Sequence, residues 1–478
     1  MTSWPLATSR RDRLVSVTLA GLVASAVFAL ASPAWAQPEP RQRPYNGVFG
    51  GGPPVDPNRS RSDLTLSGSF FAGYDDAVVA TAPGLGGSAG SDETGNLQGN
   101  VGIEYRRGRP IRHFTVDGNL YVAGYGEAGV STLTGGSVGF SGVTRVGRAN
   151  NFTVNAGLGY FPVFSIGPTA QIEAPVVDVD TLPPPDLAAQ GVFERASLQP
   201  HAAVSYSHSL ARRTSIDFGY DFGAVQYEAG PDPTSAPGDN TSHHASVALD
   251  QELSRTVSFI GRYDMSYQRP TQIDGTRPIT DHSAHLGFSW TKRVSRTRTL
   301  HIAASGGARH VESTFGTGVG RTPFDYTVPS ADAQVGLDLG RNWNVSADYR
   351  RSVTVTPEVT SETFLTDGVI ISARGLMGPR VQLLLSVGRD WSDTSDIGGI
   401  AQLDATNANV QTQIAITRLI AATVTYSYFT YLYEDVTDLP VGFAPQTERN
   451  AIRGGITIRL PLIGRYEGER GTAPAGRP

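Results

Sequence analysis

Six of the chain's nine histidines fall in one stretch, at His243, His244, His282, His285, His301 and His310, with Asp250 and Asp281 close by in sequence. An imidazole beside a carboxylate or a serine can activate water or a hydroxyl for attack. That chemistry needs a nucleophile at a recognisable spacing, and a metal site needs ligands at short fixed intervals. Neither pattern occurs, so the histidines read as polar groups lining a lumen. No catalytic residue, metal or cofactor is expected. The acidic pairs Asp75-Asp76 and Glu434-Asp435 have the ligand type of calcium, but solvated loop charge is the default for such pairs. The runs "GLGGSAG" and "GTGVG" lack a following Lys-Ser/Thr and cradle no phosphate. With no cysteine in the chain, thiolate chemistry, disulfides and zinc-thiolate sites are excluded.

The charged residues that remain sit at alternate positions within longer segments. Glu104, Arg106, Asp117, Asp217, Asp221, Arg262, Asp264, Arg309, Asp348, Arg350, Arg374 and Arg453 are the pore-lining candidates. Asp250, Asp338, Arg145 and Arg459 share their parity. Both signs are mixed, so no ring of one sign is expected, and half of the charges should pair across the wall. Weak ion selectivity follows.

Such residues need strands to aim them, because side chains alternate between two faces only in extended chain. Leu64, Leu66, Phe70 and Tyr74 oppose Thr65, Ser67 and Ser69. Leu97, Val101, Ile103 and Tyr105 oppose Gln98, Asn100, Glu104 and Arg106. Ile216, Phe218, Tyr220 and Phe222 oppose Ser215, Asp217 and Asp221, and the pattern recurs through Val410, Ile414 and Ile416 against Asn409, Gln411 and Gln413. About eighteen segments of roughly ten to sixteen residues can be counted, a length that suits tilted strands crossing a membrane. The reading is all-β: a transmembrane antiparallel up-and-down β-barrel of 16 to 18 strands.

The connections alternate too. Short turns near Arg107, Gly147, Ala211, Ser254, Thr291, Arg341, Gly378 and Arg418 take turns with longer loops, the habit of outer-membrane barrels with short inner turns and long outer loops. The short turns carry Arg or Lys, and the long loops lean acidic. An overall balance of -5 argues against nucleic acid as a partner. A soluble propeller or sandwich would use strands of about five or six residues. A soluble barrel this size could not fill its interior with an inward apolar face, whereas a membrane barrel turns that face to lipid. Tyr74, Tyr105, Tyr160, Tyr206, Trp290, Trp343, Trp391, Tyr426 and Tyr428 fit two interfacial girdles.

The first residues set the destination. Arg10, Arg11 and Arg13 precede an apolar run from Leu14 to Leu30, and Ala34-Trp35-Ala36 supplies a small-x-small cleavage signal. Residues 1–36 read as a signal peptide removed after Ala36. "SRRDRLV" approaches a twin-arginine signal, but Arg13 stands where a large apolar residue is wanted and a barrel must cross unfolded, so Sec export is expected. Residues 37–62 are rich in Pro, Gly and Arg and read as a periplasmic linker that builds no core. Residues 63–460 make the barrel, and 461–478 a periplasmic tail. No later run of about 18 apolar residues occurs, and mean hydropathy is -0.19.

The longest loop, 166–194, is the third outer loop. Pro183, Pro184 and Pro185 stiffen it, and Glu173, Asp178, Asp180 and Asp186 are candidates for a constriction folded into the lumen; a surface loop is the plain alternative.

Near the C-terminus, "RGGITIRL" resembles the β-signal read by the barrel-assembly machinery: Arg453 is its polar residue, followed by Gly455 and then Ile458 and Leu460 at alternating positions. It departs from that pattern in not ending the chain. Taken whole, residues 63–460 resemble the large porin-like outer-membrane β-barrels, and "TRLIAATVTYSYFTYLYED" with "ERNAIRGGITIRLPL" resembles barrel proteins associated with exopolysaccharide loci. The resemblance implies a bacterial outer-membrane channel for polar solutes or saccharides. It implies outer-membrane lipid, lipopolysaccharide and the barrel-assembly machinery as partners, with polysaccharide export components in the second version. A non-conducting scaffold or receptor is the alternative of another class.

Overall fold

The structure, a computed structural model, describes residues 48–49, 60–78, 92–109, 111–125, 132–161, 164–166, 191–193, 196–228, 239–270, 278–315, 322–340, 342–355, 363–392, 402–434 and 446–466. The chain is read as strands β1 (Arg61–Val78), β2 (Asp92–Arg109), β3 (Arg112–Tyr125), β4 (Leu133–Val146) and β5 (Asn150–Phe161), then a small hairpin of β6 (Phe164–Ile166) and β7 (Gly191–Phe193). There follow β8 (Ser197–Ala211), β9 (Thr214–Tyr227), β10 (Asn240–Glu252), β11 (Val257–Pro270), β12 (Ile279–Arg293), β13 (Arg298–Phe315) and β14 (Thr322–Leu339). The series closes with β15 (Trp343–Val355), β16 (Thr363–Met377), β17 (Val381–Ser392), β18 (Gln402–Ala415), β19 (Ile420–Glu434) and β20 (Gln446–Tyr466). All but β6 and β7 form one eighteen-stranded sheet in which each strand pairs antiparallel with the next and β20 pairs with β1. The sheet is therefore a closed up-and-down barrel, which leaves no edge unpaired.

Closure and alternation fix two faces. Leu97, Val101, Ile103, Leu120, Val138, Leu286 and Ile456 are exposed, and their inward neighbours along each strand are Gln98, Asn100, Asn119, Ser137, His285 and Thr457. Apolar side chains thus cover the outside and polar ones the inside, the reverse of a soluble core. The aromatics mark two levels on the outer face. Tyr105, Tyr206, Trp290 and Trp343 stand near the short turns, and Tyr74, Tyr160, Trp391 and Tyr426 near the opposite end. Gly147, Gly340 and Gly378 take φ of 68°, 73° and 71° in three short turns, a left-handed conformation that glycine reaches without steric cost.

The seam between the first and last strands is set by two reciprocal pairs. Phe71 lies opposite Gly455 and Gly73 opposite Arg453. A Cβ at 455 would overlap the Phe71 ring, and one at 73 would overlap the Arg453 side chain. Each glycine makes room for its partner's large inward side chain. Beyond them β20 slips register by one residue between Leu64 and Thr65 and runs on to Tyr466, past the Leu460 boundary drawn from sequence. The extra residue is a bulge beside Pro461, which cannot donate to the ladder.

Candidate channel lumen

All twelve pore-lining candidates share the inward face. They are carried by β2 (Glu104, Arg106), β3 (Asp117), β9 (Asp217, Asp221), β11 (Arg262, Asp264), β13 (Arg309), β15 (Asp348, Arg350), β16 (Arg374) and β20 (Arg453). From β9 to β15 the structure joins several of them into a lateral network. His244 bridges Asp221 at 3.3 Å and Asp264 at 3.2 Å, and Arg262 meets Asp264 at 2.7 Å. The Arg309 Nε donates to Asp281 Oδ2 at 2.8 Å, and its Nη2 reaches the same oxygen. His285 and Arg350 each approach Asp332 at 3.6 Å, while the Gln334 amide donates to Asp348 at 2.7 Å. Arg262, Arg309 and Arg350 are thus each paired with an inward carboxylate on the same or a neighbouring strand.

The lumen wall is chemically divided. Across β17 to β19 many inward residues are neutral amides and hydroxyls, Gln382, Asn407, Asn409, Gln411, Gln413, Thr423, Thr425 and Ser427, with the charged Asp390 on β17 and Arg449 and Arg453 on β20. Most of these are buried, as are the inward aromatics Phe71, Phe429, Tyr431 and Tyr121. Phe429 and Tyr431 pack with ring centroids 5.7 Å apart. On the other side Arg145, Asn151, Asn155, His201, Ser205, Asp221, Arg262 and Arg350 face inward and are exposed. Inward side chains from β4 to β15 are mostly exposed or half-buried, and those from β17 to β20 are mostly buried.

Several residues escaped sequence reasoning. Asp332 gathers His285, Arg350 and Ser305, and its inward parity with Asp338 was the signal available. Arg449 and Asp390 are inward and almost fully buried. Inward Phe71 had no such signal, because "SFFAGY" places a phenylalanine on each face. The six clustered histidines do not all line the lumen. His244, His285 and His301 point inward, but His243, His282 and His310 point outward. The cause is parity: His243 and His244 are neighbours and must part. The outward three pair with hydroxyls at the barrel surface: Tyr220 and His243 at 2.8 Å, Tyr263 and His282 at 2.7 Å, His310 and Thr327 at 2.9 Å. His310, Glu312 and Asp325 are the one group of the described residues whose ligand atoms lie close enough to share a metal ion.

The β-signal residues Arg453, Gly455, Ile458 and Leu460 all lie in β20, with Arg453 inward and Ile458 outward. The constriction candidates Glu173, Asp178, Asp180 and Asp186 lie outside the described residues, as does the leader; the base of their loop is the β6–β7 hairpin.

No family model matches the sequence, and no curated protein matches it. Among solved structures, Pseudomonas aeruginosa OpdQ is similar with a TM-score of 0.40 at 11% identity, covering 84% of this chain and 98% of that one. Acinetobacter baumannii OccAB2 gives 0.43 at 9%, covering 84% and 98%. Pseudomonas aeruginosa OpdL gives 0.40 at 14%, covering 84% and 99%. At these scores the likeness adds nothing to what the barrel itself shows.

Proposed function

We propose that the chain is a porin-like channel of the bacterial outer membrane that passes polar solutes by diffusion. One observation carries this reading: a closed eighteen-stranded barrel whose outer face is apolar and whose inner face is polar and, on one side, water-exposed. A bilayer tolerates only a closed sheet or helices, and about eighteen strands enclose an aqueous passage rather than a packed core. The short turns then face the periplasm and the longer connections the cell exterior. Residues 1–36 are the exported leader, and Arg453, Gly455, Ile458 and Leu460 are what the barrel-assembly machinery would engage. Mixed lumen charges give weak selectivity, and the acidic lean of the longer connections favours cations or neutral sugars at the mouth. The protein is not read as an enzyme, since its clustered histidines are divided between two faces.

The test is swelling of proteoliposomes that contain the purified mature chain, in isotonic solutions of neutral sugars of increasing size. Rapid swelling with monosaccharides that slows as the sugar grows is expected. Swelling no faster than protein-free liposomes with every solute would overturn the channel and leave a scaffold or receptor.

A further inference from the structure

Val48 and Phe49 precede the first strand, yet they sit inside the barrel. Val48 is buried against Ala415 and Ala421, with Phe49 and Leu376 packed onto the same cluster. The Val48 N–H donates to Gln382 Oε1 at 3.2 Å. Leu376, Gln382, Ala415 and Ala421 belong to β16, β17, β18 and β19 and all stand on the inward face next to the short turns. The pocket is visible in the strand pattern. From mid-strand the inward positions of β18 and β19 are amides and hydroxyls (Asn407, Asn409, Gln411, Gln413; Thr423, Thr425, Ser427) until the short-turn end, where both change to alanine. Two alanines leave the depth a valine fills, and a glutamine beside them accepts the incoming backbone N–H. Gln382 and Ala421, 1% and 0% exposed, would be wet on an empty channel wall.

We propose that the segment carrying Val48–Phe49 is a plug: it docks on the lumen wall at the short-turn mouth, narrows the passage, and widens it by leaving. The proposal rests on the channel reading. Among the described residues the docked part is two side chains and one hydrogen bond, none of it in a strand ladder, and covalent linkage to β1 keeps it near its pocket when it leaves. Strands about 4.8 Å apart, tilted by about 40° and closing a barrel of eighteen, leave a lumen about 20 Å wide after side chains, and a single chain about 10 Å across docked on its wall would fill about a quarter of it. Its departure should raise conductance about 1.3-fold or more.

The experiment is single-channel recording of the mature chain in planar bilayers of phospholipid in potassium chloride. Three forms are compared: the natural sequence, Val48→Asp/Phe49→Asp, and Val48→Cys/Ala421→Cys, the last in a background free of other cysteines. The aspartate pair should open steadily at a unitary conductance at least about 1.3-fold above the natural chain's. The oxidised cysteine pair should stay at the lower level and step up on reduction. Equal conductance in all three forms, in either redox state, would overturn the plug and leave the channel standing. Silence in all three would overturn both.

Discussion

Arg309 and Asp281 allow a quantitative test of how the lumen is held. Asp281 is 8% exposed and its Oδ2 takes both guanidinium contacts, with the Ser266 hydroxyl at 3.5 Å. Asp281 Oδ1 has no hydrogen-bond partner among the described residues. The surroundings are apolar: Asp281 faces Val311 across the sheet, Arg309 faces Val328, and these valines form a buried cluster with Ile279 and Leu365. Arg309→Met therefore strands a carboxylate in a site of low dielectric, and a loss of about 3 kcal/mol is expected, as for breaking a buried pair by removing one partner. Asp281→Asn should cost less, about 1–2 kcal/mol, because the Arg309 head is about a quarter exposed and can reach water. The double variant should cost about 1 kcal/mol, since a buried pair replaced whole is nearly neutral. The coupling between the two positions is then on the order of 3 kcal/mol. Reversible urea unfolding in phospholipid vesicles, followed by tryptophan fluorescence, measures all four corners. If Arg309→Met lies within about 0.5 kcal/mol of the natural chain, or the single losses simply add, the reasoning fails.

Three other perturbations follow from the same geometry. Gly455→Val drives a side chain into the Phe71 ring at the seam and should cost about 1–3 kcal/mol, read as a lowered temperature for loss of the compact form on gels; an unchanged temperature would show that the seam does not depend on this pair. Asp390→Asn removes an inward carboxylate that is 3% exposed and whose Oδ2 lacks a partner, so it should raise stability by about 1 kcal/mol at neutral pH; destabilisation in the same unfolding assay would contradict this. Arg262→Gln leaves Asp264 with His244 alone and should move the reversal potential in a salt gradient toward cation preference; no movement would mean that this pair does not face the ion path.

Strand number, closure and the two faces were legible in the sequence because alternation repeats some eighteen times and the short turns punctuate it. The short turns fall where charge and glycine placed them, at Gly147 and Gly378 among others. Individual lumen residues were legible for the same reason: parity alone puts Arg262 and Asp264 inside. Their pairings were not, since which carboxylate an arginine meets depends on interstrand register, and Asp281 lies 28 residues from Arg309 in sequence. The three outward histidines were misread because composition suggested one cluster where adjacent positions belong to opposite faces. Val48 was missed because a Pro- and Gly-rich stretch has no periodicity. Only the change to alanine at 415 and 421, on two different strands, betrays its pocket, and one sequence does not reveal that those strands are neighbours.

The central claim is that polar side chains face water inside the barrel while apolar ones face lipid. The absence of cysteine makes it directly testable by single-cysteine labelling along β9 of the protein in vesicles. Cysteines at Asp217, Gly219 and Asp221 should react quickly with a water-soluble maleimide, and those at Ile216, Phe218 and Tyr220 should stay protected until detergent removes the lipid. A strict period of two with that phase supports the account. The opposite phase, or uniform reaction along the strand, would contradict it.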